Sequence, residues 1–305
     1  MVTFLTSRFV ASAALAVVWV FCRPVLADSA SFRWDLDPDQ ELRVRWSQTV
    51  RTEIRGEKSV AWTVRAAIEM RWRVEAVDQD GTLHMSQHFT RLILRMSPAE
   101  GPDVDYDSKA DQEPPLELRE LAAAMPPLLD RRFSVAMSPL GRFHSVQDDP
   151  ASHSTEDTQP ANEPWTSFLT PDGWERAFRP SLGLLPDGPV QPGDQWHHQE
   201  TVQTPQGPLR AEHTYRYEGT VEVDGGPLQV IRGLTEATAG PPPGAFDKPQ
   251  PPDQRQTAIY HFNADAGYLV QSDLVQTIVS DVPDSDPPLR VTIQGRLRTR
   301  IEPWK

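Results

Sequence analysis

Apolar and polar residues alternate strictly along several stretches of this 305-residue chain. Leu42, Val44 and Trp46 alternate with Arg43 and Arg45; Met70, Trp72, Val74 and Ala76 alternate with Arg71, Arg73 and Glu75. The same period of two runs through Leu83, Met85, Gln87 and Phe89, through Tyr215, Tyr217, Gly219, Val221 and Val223, and through Val291, Ile293, Gly295, Leu297, Thr299 and Ile301. Successive side chains of a strand point to opposite faces, so each stretch predicts a strand with one apolar and one wet face. Parallel sheet would show continuous apolar runs separated by helices. The predicted class is therefore mainly β: a large antiparallel curved sheet, half-barrel or barrel, with a few accessory helices.

Turn chemistry supports the strand pairs. Asp78-Gln79-Asp80-Gly81, Asp224-Gly225-Gly226 and Asp265-Ala266-Gly267 supply local side-chain bonds and positive φ where hairpins need them. Helix signals are confined to 116–125, stopped by Pro126, and 171–177, with Thr170 as cap and Pro171 as the first helical residue. Residues 147–164 and 239–256 lack apolar periodicity and concentrate proline, glycine and charge, which predicts long loops.

Three blocks recur in the same order. Pro38 to Leu42 matches Pro192 to Trp196, Met70 to Gly81 matches Tyr215 to Gly225, and Phe133 to Gly141 matches Ile259 to Gly267. That order predicts two pseudo-repeats, a first β unit in 28–146 and a second in 191–305, joined by a loop and short helix in 147–190. Trp72 and Tyr217 are then expected on the same, core-facing side.

The first residues change the picture of where the protein works. Arg8, an apolar run of ~14 residues from Phe9 to Cys22, the break at Pro24 and the Val25-Leu26-Ala27 step form a secretory signal with cleavage expected after Ala27. A spanning helix needs ~20 apolar residues, so no transmembrane segment is expected in the mature chain. The expected location is the periplasm or the exterior of a bacterium. Cys22 is the only cysteine, so the mature chain of 278 residues would have no disulfide, thiolate metal site or cysteine nucleophile. Loss of Arg8 and Arg23, with no acid lost, takes the formal charge from −13 to −15, which disfavours nucleic acid and anionic membrane surfaces as partners.

Candidate chemistry is sparse. The chain has no nucleophile elbow, zincin motif, phosphate loop or dinucleotide glycine pattern, and no catalytic residue or cofactor is assigned. His84 and His88 share a strand face but lie ~13 Å apart, too far for one metal. His197 and His198, adjacent on a strand, point to opposite faces. Asp103, Asp105 and Asp107 have the alternation of a calcium loop, but Ser108 stands where that loop needs glycine and Pro114 where it needs glutamate. Arginine outnumbers lysine 26 to 4 and recurs on the wet side of the strands, at Arg43, Arg45, Arg71, Arg73, Arg91, Arg95, Arg216, Arg296, Arg298 and Arg300. Guanidinium forks suit anions, yet Glu41, Glu69, Glu75, Glu218 and Glu222 occupy similar faces, and cross-strand pairing is the expected role. Trp46 and Trp72 are in phase with the apolar face, and core packing is the expected role of the tryptophans; Trp165 and Trp174 lie near the second helix, where nothing in the sequence supports an aromatic ligand floor.

The leader, the start at Phe32 to Leu36, the Tyr106-Asp107-Ser108 step and the block from Pro192 to Trp196 resemble a family of secreted bacterial proteins built on a domain of unknown function. The predicted architecture is also similar to the half-barrels of periplasmic lipid and lipoprotein carriers. That similarity implies a non-enzymatic protein binding an apolar small molecule, lipid or partner on the apolar side of the sheet, under the 116–125 helix. The alternatives are a carboxylate-pair hydrolase of extracellular polysaccharide and a structural, wall-associated module.

Overall fold

A computed structural model describes residues 29–305 except 112, 120–121, 123–128, 130, 150–169, 184, 205–206, 240–253 and 283–287. The leader, Trp165 and most of both expected loops lie outside the described residues. Twelve strands form one antiparallel sheet: β1 (Glu41–Arg55), β2 (Ser59–Val77), β3 (Leu83–Ser97), β4 (Val104–Asp107), β5 (Arg132–Met137), β6 (Phe143–Asp148), β7 (Gln195–Thr204), β8 (Gly207–Val223), β9 (Gly226–Ala239), β10 (Gln254–Asn263), β11 (Tyr268–Val282) and β12 (Leu289–Pro303). The sheet is curved and does not close, with order β6-β5-β3-β2-β1-β12-β11-β10-β9-β8-β7 and β4 added beside β3. The loop expected over 239–256 is shorter at both ends, because Ala239 completes β9 and Gln254 begins β10.

Alternation sorts the side chains as expected. Leu42, Val44, Trp46, Met70, Trp72 and Val74 are buried on one face, called inner here, together with Tyr215, Tyr217 and Ile301. Two segments outside the sheet complete this core. Phe32, Trp34 and Leu36 lie buried ahead of β1, and the Phe32 ring meets Tyr217 and Phe262 edge-on at 5.2 and 5.7 Å. Helix α1 (Pro171–Leu182) contributes Trp174, Phe178 and Leu182, with Trp174 stacked on Phe178 at 4.6 Å.

Thr170 caps α1 by accepting from the Gly173 N–H at 3.1 Å, and Pro171 leads it, as its sequence predicts. The helix nevertheless continues past the expected end at Ala177 to Leu182, through Pro180. Proline removes a helical hydrogen bond, but this last turn buries Phe178, Ser181 and Leu182, and the Tyr260 hydroxyl donates to the Pro180 carbonyl at 2.9 Å. Packing outweighs the local penalty. Trp174 is wholly buried in the core, so it does not floor an open ligand site. Of the helix expected over 116–125, a 3-10 turn at Leu116–Leu118 is seen, with Arg119 and Ala122 also helical and the remaining residues outside the described set. Among the described residues no helix is long and apolar enough to cross a membrane.

The two halves follow one path. β1-β2-β3-β5-β6 and β7-β8-β9-β10-β11 are meanders running in the same order along the sheet, with β12 between them. Leu42 faces Trp72 as Trp196 faces Tyr215. The ladder of β2–β3 shifts register between Val74 and Ala76, and that of β8–β9 between Tyr217 and Gly219. The second hairpins agree too, with shifts at Ala136/Met137 and His261/Phe262. These registers make Tyr217 the counterpart of Val74, two residues from the expected match with Trp72. An offset of two leaves every side chain on its expected face.

Candidate functional site

Ladder registers place residues from nine strands in one transverse row on the inner face: His213, Thr235, Gln256, Gln276, Gly295, Val50, Val64, Met96 and Val104. The row lies beyond the aromatic core, towards the opposite ends of the long strands, where burial is only partial. Its two halves differ in chemistry. From β12 to β4 it is apolar, and the next row adds Ile293 and Trp62 beside Thr52. From β8 to β11 it is polar, with the Gln276 amide donating to Gln254 at 3.1 Å.

Leu118 covers part of the apolar half. It is buried against Leu92, Leu94, Met96, Val104 and Tyr106. An open cavity of about 570 Å³ is lined by the loop residues Glu113, Pro114 and Pro115 and, along the strands, mostly by positions of the opposite, outer face, Thr49, Arg65, Ile93, Arg95 and Asp105 among them. Burial raises the Tyr106 hydroxyl above its ordinary pKa, as does the nearby Asp107 carboxylate.

An ionic network closes the polar half. His213 bonds through Nδ1 to Thr235 Oγ1 at 2.8 Å and through Nε2 to Glu200 at 3.2 Å. Arg179 of α1 bonds Glu200 at 3.1 Å and also holds Glu175. The His213 hydrogen bond, with Arg179 beside it, brings the Glu200 carboxyl down to about 2. Burial lowers His198, whose ring lies 5.9 Å from that of His213. The sequence pattern missed this cluster, since its members are 13 to 35 residues apart and meet only through register. Adjacency of His197 and His198 was the visible signal, and the two do point apart: His197 pairs with Thr214, His198 with His213.

The other candidates disperse. Asp105 and Asp107 lie on β4, bound to Arg95 and Arg91, and Asp103 immediately precedes that strand. Among the described residues no three His, Cys, Asp or Glu side chains converge to hold a metal. His84 bonds Asp78 at 2.8 Å. Most outer-face arginines are paired as expected, including Arg43 with Glu69, Arg71 with Glu41, and Arg296 and Arg298 with Asp273. A general acid needs a carboxyl pKa raised towards neutrality. Glu53, Glu69, Asp80, Asp105, Asp107, Glu200 and Asp273 are all displaced downwards.

No protein-family model and no curated protein matches the sequence. Among solved structures, lipovitellin, studied for its lipid–protein interactions, is similar over 88% of this chain and 25% of its own, at 11% identity and a TM-score of 0.52. The chain thus spans a quarter of the length of that protein, and the likeness is one of fold. A DUF1329 family protein from Desulfovibrio piger aligns over 87% of this chain and 85% of its own at 11% identity, with a TM-score of 0.18, too low to compare folds.

Proposed function

We propose that this chain is an exported, non-enzymatic binding protein for an amphiphilic, lipid-like molecule. The observation that carries the reading is the divided row on the inner face. Val50, Val64 and Met96 offer an apolar, half-buried strip, and His213, Gln256 and Gln276 continue it as a polar strip. An acyl chain fits the first and a polar head the second. Burying apolar area contributes ~25 cal/mol per Å², enough for a single long chain to bind in the micromolar range after its ordering cost. The likeness of fold to lipovitellin, a protein studied for its lipid–protein interactions, fits this reading.

Export is the other half of the proposal and rests on the Arg8 to Ala27 signal. Native mass spectrometry of protein purified from a bacterial periplasm tests the binding reading. Retained lipid, released on denaturation, is the expected result. A ligand-free mass, together with failure to take up added phospholipid or fatty acid, would overturn it.

A further inference from the structure

The outer face carries a second feature, independent of the lipid reading. Across five strands, the register aligns Arg296, Thr49, Arg65, Arg95 and Asp105 on that face. Arg51 stands two residues beyond Thr49 on the same strand and face, and Arg298 two residues beyond Arg296. Directly opposed side chains have Cβ atoms ~5 Å apart, and like charges so placed repel. Arg65 and Arg95 are such a pair.

Neutralisation around Thr49 is incomplete. Asp105 binds Arg95, and the single carboxylate of Asp273 is shared by Arg296 and Arg298. Arg65 has no carboxylate partner among the described residues, and Arg51 has only the Coulombic attraction of Glu53. Glu53 is the nearest further acid along β1, and its hydrogen bond goes to Arg55 at 2.6 Å. Arg65 therefore has no acid of its own beside Arg95, whose partner is Asp105, and Arg296 and Arg298 divide one carboxylate, on a protein whose formal charge is −13. Acids are shared elsewhere on this face too, Glu69 among Arg43, Arg45 and Arg91 and Glu218 between Arg216 and Arg232, but each of those arginines has an ion pair where Arg65 has none among the described residues. Thr49, Arg65 and Arg95 also line the 570 Å³ cavity, together with the acids Asp105, Asp107 and Glu113.

We propose that Thr49, Arg51, Arg65, Arg95 and Arg296 form a binding site for a phosphate-type oxyanion. Forked guanidinium donors match its oxygens, and a dianion removes the repulsion between Arg65 and Arg95. The Thr49 hydroxyl, central in the row, adds a neutral donor. The phosphate could be free in solution or belong to a phospholipid headgroup, and both present the same chemistry to these side chains.

The test is titration of the full chain with inorganic phosphate at low ionic strength, followed by calorimetry, and in parallel co-sedimentation with vesicles of phosphatidylglycerol or of phosphatidylcholine. Saturable phosphate binding that weakens by about tenfold or more in Arg65→Gln and Arg51→Gln, and not in Arg73→Gln, is the expected result. Arg73 is a fair control, being an outer-face arginine already paired with Asp39. Retention on phosphatidylglycerol vesicles alone, lost in the same two variants, would assign the phosphate to a headgroup. Absence of both, or equal binding by wild type and the folded Arg65→Gln and Arg51→Gln proteins, would overturn the site. Circular dichroism establishes that each variant is folded, which these exposed positions predict.

Discussion

Asp39 and Gly193 hold the same place in the two halves of the sheet. Each stands just ahead of the first strand of its meander in left-handed backbone, at φ 66° and 100°, and each donates its N–H to the neighbouring strand, at Val74 and Tyr217. The next residue of each closes the loop in return, Gln40 and Asp194 accepting from those same two strand residues. Asp39 is the only described residue other than glycine with positive φ. The two positions share a backbone conformation and not a side chain.

That relation predicts opposite effects for exchanged residues. A β-carbon in left-handed backbone costs about 1 kcal/mol, and nothing lies within 4 Å of one built on Gly193. Gly193→Val should therefore lower stability by about 1 to 2 kcal/mol through conformation alone. Asp39→Gly should be neutral or slightly stabilising, because its ion pair with Arg73 is exposed and contributes little. Urea midpoints at constant slope measure both, and a destabilised Asp39→Gly would show that the side chain matters more than the turn.

Gly267 gives a sharper contrast. Its φ is 70°, but a β-carbon there would meet the Asp35 carbonyl oxygen at 2.1 Å. The clash is with backbone of the buried segment ahead of β1, whose N–H at Asp35 donates to the Gly267 carbonyl. Gly267→Ala is expected to cost several kcal/mol, well above the effect of Gly193→Ala. Equal midpoints for the two variants would mean that the segment before β1 does not seat against this turn.

Much of the sheet was legible because its strands are half-buried: Arg43 and Arg45 against Leu42, Val44 and Trp46 reveal both period and face. Helix α1 was located by its cap but cut short, since Pro180 reads as a stop and only tertiary burial of Phe178 and Leu182 explains its continuation. Tyr217 was matched two residues off because alternation is the same after any even shift. The Glu200–His213–Thr235 cluster and the Arg65–Arg95 opposition were illegible for a simpler reason. Cross-strand neighbours depend on register, and register was not deducible from one chain with bulges at Val74/Ala76 and Tyr217/Gly219.

Export makes a direct prediction. Protein recovered from the periplasm or medium should begin at Asp28, with cleavage after Ala27. N-terminal sequencing decides it, and an intact Met1 in a membrane pellet would mean that Phe9 to Cys22 serves as an anchor.

Glu200 predicts a pH dependence of known sign. Its carboxyl sits at about 2 in the folded protein against 4.5 ordinarily, held down first by the His213 hydrogen bond. A depressed acid stabilises the fold fully above its unfolded value and progressively less as pH falls towards its folded one. The contribution is about 2 to 3 kcal/mol at pH 6 and should fade between pH 5 and pH 2. Glu200→Gln should accordingly be less stable than wild type at pH 6, with the gap closing near pH 2 to 3 in denaturant titrations. A gap that stays constant would assign the loss to packing and not to charge.

The lipid reading predicts that filling the apolar half of the inner face displaces the ligand without unfolding the protein. Ala66 is suited to the purpose: it lies on β2 between Gln48 and Leu94, is half-buried, and shares the inner face with Val64. Tryptophan at this position adds a large apolar group at a cost of about 1 to 3 kcal/mol. Ala66→Trp should retain the wild-type circular dichroism while losing most of the lipid seen by native mass spectrometry. Trp174→Ala is the complementary change. Trp174 is fully buried between Phe178 and the sheet, far along the strands from the Val50–Val64–Met96 strip, so its removal should cost about 3 to 5 kcal/mol of stability yet leave binding intact at low temperature. If Ala66→Trp retains lipid while Trp174→Ala releases it, the ligand occupies the aromatic end of the inner face, and the divided row is only a border of the sheet.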